Sequence, residues 1–204
     1  MQLESPLALA LIGLVYLLGF GGLSYLRRQG LSVRFALEGL AITALGTGLR
    51  YVGVPVHPLL FLVVLYVVTM RVRLLVDLGN WFAERGQCER ALAMYNLGLR
   101  VGPDPSSRQL VLINHGVAQL KNEDPESAYE TLSRAIVEDE GQLGGHHVAA
   151  AYYNLGLACR RSGREAEAIQ RLNEAIDGWP NSIYGFAATK ELEKRPARAT
   201  PPCE

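Results

Sequence analysis

The segment 149–182, AAAYYNLGLACRRSGREAEAIQRLNEAIDGWPNS, decides how this chain is read. Within it Gly156 is followed twelve residues later by Ala168 and nineteen later by Ala175, with a glycine turn at Gly163. The same spacing occurs twice upstream: Gly79 precedes Ala91 and Gly98, and Gly116 precedes Ala128 and Ala135. Four residues after each alanine stands a larger apolar side chain, Tyr95, Leu132 or Leu172, and Leu99, Ile136 and Ile176 follow the second small residue. Seven after each glycine comes the turn, at Gly86, Glu123 and Gly163. Such self-similarity marks stacked helical hairpins, in which small residues let two helices cross closely while larger ones fill the gap to the next pair.

The pattern resembles the tetratricopeptide repeat (TPR), over units at 72–105, 109–142 and 149–182. The middle unit departs from it. His115 replaces the leucine found at Leu78 and Leu155, Glu123 replaces the turn glycine, and Glu140 stands where Pro103 and Pro180 stop the other units. The step to the third unit is stretched over 138–147, which predicts a lengthened helix or a longer loop. Residues 183–194 read as a capping helix over the apolar end of the stack, closing a TPR domain of 72–195, and the proline-rich polar residues 196–204 as a disordered tail.

Residues 1–71 have a different composition. A run of about twenty residues from Pro6 to Leu26 has no charge, the length a helix needs to cross a bilayer. Glu4 precedes it and Arg27 and Arg28 follow, the reverse of a cleaved signal peptide. A second apolar run from Leu59 to Met70 ends at Arg71 and Arg73, and 35–49, FALEGLAITALGTGL, lies between the two. The expected architecture is therefore all-α: three transmembrane helices at about 6–26, 35–54 and 56–71, then a three-unit TPR solenoid with its capping helix. An outside N-terminus puts Arg27, Arg28, Arg34, Arg71 and Arg73 in the cytoplasm and only Arg50 outside, so the repeats are expected to be cytoplasmic and the chain integral to the cell or inner membrane. Gly39, Thr43 and Thr47 recur every four residues, with Ala44 and Gly48 as a second small pair; they are expected to pack helices within the anchor, or against a partner's helix. No glycine or proline falls within 59–78, which predicts one continuous helix of about twenty-five residues running from the last span into the first repeat.

Lys and Arg equal Asp and Glu at 20 each, and the part after Arg71 is mildly acidic, so nucleic acid is not an expected partner. Cys88, Cys159 and Cys203 lack the spacing of a metal site and read as free thiols. His146 and His147 are adjacent and do not converge as ligands one turn apart would, His57 reads as a turn residue, and Gly144 with Gly145 lacks the strand and lysine of a phosphate loop. No catalytic constellation, metal, cofactor or small-molecule substrate is expected.

The TPR resemblance implies a concave groove that binds protein segments, or that the capping helix or tail packs into, lined here by Val76, Asn80, Ala83, Ile113, Val117, Leu120, Tyr153, Leu157 and Arg160. Some relatives clamp the terminal carboxylate of chaperone tails; of that clamp only Asn80 and Asn114 match, while Val76 and Ala150 stand at lysine places, so that ligand is not expected. The implied function is a membrane-anchored adaptor for a protein partner. The alternative is an accessory or assembly subunit held in a larger membrane complex through its spans.

Overall fold

The structure, a computed structural model, describes residues 5–26, 32–139 and 144–194, the side chains of 23–26 excepted. Arg27, Arg28, Glu140, Cys203 and the tail 196–204 lie outside the described residues, as do 140–143 of the stretched step between the second and third units.

Ten α-helices account for the described fold. The N-terminal three are α1 (Pro6–Leu26), α2 (Val33–Tyr51) and α3 (Pro58–Thr69). The remainder form hairpins: α4 (Arg71–Glu84) with α5 (Cys88–Arg100), α6 (Pro105–Lys121) with α7 (Pro125–Val137), and α8 (Gly145–Arg161) with α9 (Glu165–Gly178), followed by α10 (Ile183–Glu193). Starts are set by local chemistry. Asp104 accepts from Ser107 N and Asp124 from Ser127 N, each with proline in the first turn, and Ser182 accepts from Gly185 N.

The repeat register rests on three crossings of one kind. A Cβ on Gly79 would lie 2.5 Å from Tyr95, one on Gly116 2.5 Å from Leu132, and one on Gly156 2.8 Å from Leu172. Each glycine of a first helix thus seats the large residue of the second, and Ala91, Ala128 and Ala168 beside them are fully buried. Three turns close the hairpins in the left-handed region: Gly86 at φ 72°, Glu123 at φ 59° and Gly163 at φ 75°. In each the next amide bonds back to the last helical turn: Gln87 N to Phe82 O, Asp124 N to Gln119 O, and Arg164 N to Cys159 O. Glu123 is the one described non-glycine residue with positive φ, a conformation that costs an L-residue roughly 1–2 kcal/mol. Glu123→Gly is expected to raise the unfolding free energy by about 1 kcal/mol, the backbone entropy of glycine offsetting part of the relief; an unchanged or lower denaturant midpoint would show that this turn carries no strain.

In the N-terminal unit Leu9, Tyr16, Phe61 and Leu65 form a core, and α2 approaches its neighbours through small residues. Gly39 sits against Leu17, Gly13 against Thr43, and a Cβ on Gly46 would lie 2.8 Å from Phe61. Gly39 and Thr43 therefore pack inside this unit, whereas Thr47 is only half-buried and Ala44 and Gly48 face outward. The third internal position is Gly46, because three helical residues after Thr43 come closer to the shared face than four once the 3.6 period has drifted.

One expectation is left without support and a second is corrected. Among the described residues no single helix is long and apolar enough to cross a membrane: the part of α1 whose side chains are described, Pro6–Gly22, falls short of that length, and α3 with α4 qualifies only as a pair bent by 74°. α2 carries Arg34, Glu38 and Arg50 along its 19 residues. The expected continuous helix is also broken, at Met70, whose φ of −103° and ψ of 11° leave the helical region. One tertiary bond and two local ones accompany the break. Tyr16 and Thr69 share a hydroxyl hydrogen bond of 2.7 Å, Thr69 donates to Leu65 O, and the Arg71 guanidinium takes Val68 O, the carbonyl an unbroken helix would offer to Val72. Phe61 and Leu65 belong to one core, while Val72 and Val76 belong to that of the first hairpin, and a straight helix could not serve both.

Candidate protein-binding groove

The first helices of the three hairpins, α4, α6 and α8, lie side by side and define the inner surface of the array. Of the nine residues expected to line it, Val76, Ile113 and Leu120 are buried to 3%, 5% and 4% exposure, within the cores between helices. They offer no surface to a partner, a correction that follows from the second helices closing over them. Asn80, Ala83, Val117, Tyr153, Leu157 and Arg160 remain partly open.

The C-terminal third of this surface is engaged by α10. Tyr153 stands 5.9 Å ring to ring from Tyr184, and Arg160 donates to Glu191 O at 2.7 Å and pairs with Glu191 and Glu165 at 3.1 and 2.9 Å. Burial pushes the Tyr153 phenol above its ordinary pKa. Leu157 packs against the core containing Leu155 and Leu132. The accessible part of the groove therefore centres on Asn80, Ala83 and Val117. Asn80 Oδ1 accepts from Tyr95 OH at 2.7 Å, and Asn114 donates to Leu110 O of its own helix at 2.8 Å. Asn80 is thus held through its amide oxygen and Asn114 through one of its amide hydrogens.

Behind this surface lies a buried aromatic contact. His115 stands edge-on to Tyr95 at 6.2 Å, with Nδ1 buried and unpartnered. Burial pushes the Tyr95 phenol up to about 12, and burial reinforced by Arg134 lowers the His115 pKa. His147 is lowered in the same way, by burial and then by His146. A histidine whose folded pKa lies below the unfolded value binds its proton more readily in the unfolded chain. Stability from these two sites is present above pH ~6.5 and is lost as pH falls through the depressed folded values. His115→Leu, which installs the residue found at Leu78 and Leu155, is expected to flatten that loss below pH ~6.5 in thermal melts; an unaltered pH slope would exclude His115 as its source.

His146 and Tyr184 rings lie 5.1 Å apart, so His146 forms an aromatic contact with α10. Among the described residues no group of three or more His, Cys, Asp or Glu could hold a metal ion. Cys159 is buried and its thiol pushed up to about 11, which leaves it protonated and inert near neutrality.

A second constellation, of which the spacing gives only the Arg34–Glu38 pair, lies at the junction of the N-terminal helices with the repeats. Glu38 of α2 accepts from Arg71 at 2.5 and 2.9 Å and from Arg34 at 2.7 Å. Arg71 also donates to Val101 O at 3.2 Å, and Arg34 donates to Gly102 O. Arg34 and Glu38 are one turn apart, the only hint of this cluster in the sequence; the link to the α5–α6 turn spans far too many residues to be read there.

The family model described as tetratricopeptide repeat matches residues 108–181, the second and third hairpins. Among solved structures, the second TPR domain of human RPAP3, determined by NMR in complex with the HSP70 peptide SGPTIEEVD, aligns at 23% identity over 61% of this chain and 99% of its own, with a TM-score of 0.49. No curated protein matches the chain. The α4–α5 hairpin lies outside the family match but repeats its glycine crossing and left-handed turn. Residues 108–181 thus match the tetratricopeptide repeat, within a chain whose described elements are all α-helical.

Proposed function

We propose that the chain is a membrane-anchored TPR scaffold, with α1–α3 in the bilayer and the repeats holding a protein partner at the cytoplasmic surface. The observation that carries this is the outer surface of α1–α3. Leu7, Val15, Leu18, Leu37, Leu45, Leu59 and Leu60 are all more than 60% exposed, on all three helices and along their lengths. Soluble proteins rarely leave contiguous apolar surface beyond a few hundred Å² uncovered. The charges of this unit sit toward its ends, Arg34 and Glu38 beside the repeats and Arg50 at the other end of α2. Arginine on the repeat side supports a cytoplasmic array. α1–α3 enter the bilayer as one packed unit, since the shortness of α3 argues against three independent spans.

The partly open Asn80, Ala83 and Val117 support recognition of an extended or helical segment, with no catalytic role, cofactor, nucleic acid or small-molecule substrate. Val76 and Ala150, at the places where a carboxylate clamp would have lysines, argue against a ligand recognised by its terminal carboxylate. An accessory-subunit role is favoured by one feature, the outward-facing Ala44 and Gly48, the latter with nothing within 4 Å of its would-be Cβ, on a side where a partner's helix could approach.

Affinity capture from membranes, comparing the intact chain with Val117→Lys, separates the readings. The scaffold reading expects a co-purifying protein to disappear with Val117→Lys while far-UV circular dichroism is unchanged. Partners retained by Val117→Lys and by a chain lacking the repeats would favour the subunit. Recovery of the intact chain in the aqueous fraction without detergent would reject membrane anchoring altogether.

A further inference from the structure

We infer that α4 is a membrane-surface helix, its stripe of exposed Leu78 and Trp81 with half-buried Leu74 resting in the headgroup region of the lipid that holds α1–α3; this rests on the anchor reading above. Leu74, Leu78, Trp81 and Arg85 follow at steps of four, three and four residues, which aligns them on one face. Leu78 is 43% and Trp81 45% exposed, while Val72, Val76 and Gly79 on the opposite face are buried in the first hairpin. In a helical array the stripe is the side that a preceding hairpin would cover. What precedes it here is α3, which turns away by 74°.

That angle sets the orientation. A helix leaving an embedded one at 74° runs close to the membrane plane rather than away from it. Arg71, next to the stripe around the helix, reaches back to Val68 O of α3 and to Glu38 of α2, so this side of α4 faces the anchor. Across the elbow at Met70, Val63 and Val67 of α3 are likewise about half exposed. Asp77 and Glu84 border the stripe on the flank opposite Arg71. The Arg85 guanidinium stacks 3.6 Å over the Trp81 ring, a pairing of indole and cation suited to headgroup depth, where tryptophan concentrates and arginine meets phosphate. The repeats would thereby lie against the bilayer through their first helix and not merely be tethered to it.

Only two tryptophans occur, Trp81 and Trp179, so each can report alone. Trp179→Phe leaves Trp81 as the sole indole, and Trp81→Phe leaves Trp179, which packs on Gly145 at the far end of the array. Both full-length variants would be reconstituted in phosphatidylcholine–phosphatidylglycerol vesicles whose acyl chains are brominated either near the headgroup or near the tail end. The expected result is loss of Trp81 emission with the shallow bromines, little with the deep ones, and none for Trp179. Unquenched Trp81 in a chain that floats with the vesicles would overturn the surface helix and leave the anchor intact. Failure to float would sink the anchor and this inference together.

Discussion

Replacing Gly116 by valine is expected to destabilise the repeats by about 3 kcal/mol, an unfolding midpoint lower by about 10 °C. An added Cβ would lie 2.5 Å from Leu132 Cγ, and Leu132 is fully buried with no room to retreat. The intrinsic gain from removing a helix-interior glycine, about 1 kcal/mol at most, is smaller than the overlap it creates. Position magnifies the effect, because stability in a stacked array is shared through neighbouring interfaces and the middle hairpin couples to both sides. The strongest check is a double mutant. Leu132→Ala alone should cost roughly 2–5 kcal/mol by opening a cavity, yet added to Gly116→Val it should cost far less, since the valine occupies the vacated space. Additive losses would mean that the glycine is needed for some reason other than this crossing.

That crossing could be read from the sequence because it is local. Gly79 and Tyr95, Gly116 and Leu132, and Gly156 and Leu172 are each separated by sixteen residues, one hairpin, and the same separation recurs wherever the same pair of helices meets. Turns were readable for a similar reason, even at Glu123, where the backbone keeps its left-handed geometry without the glycine that usually supplies it. The elbow at Met70 was not. Nothing in 59–78 breaks a helix chemically; the break comes from Tyr16, Glu38 and two separate cores, all remote in sequence. The groove shows the same limit. Spacing gives the angle of Tyr153 and Arg160 around α8, but only the folded chain shows α10 lying on them. At Thr47 the four-residue pattern overran the helix period, and Gly46 took the inner place.

Glu38→Ala is expected to raise the rate of tryptic cleavage after Arg71 and Arg73 on the order of tenfold, without moving the unfolding midpoint of the repeats. One carboxylate holds two guanidiniums, and each of these also bonds a carbonyl of the α5–α6 turn, so Glu38 is the centre of a bridge from α2 to the first hairpin. Both partners of the Arg71–Glu38 pair are about one-quarter exposed, dry enough for charge-assisted bonds to outweigh a surface ion pair. Removing the carboxylate leaves two like charges facing each other and an elbow without its tie, so the bend opens more often and the protease reads that opening. Glu38→Gln, which keeps hydrogen bonding but loses the charge, should fall between the parent and the alanine variant. The repeats should melt unchanged, because their cores share no buried residue with the N-terminal unit. Equal cleavage in all three proteins would mean that the backbone break at Met70 sets the angle unaided, and that the arginines bonded to Glu38 merely decorate it.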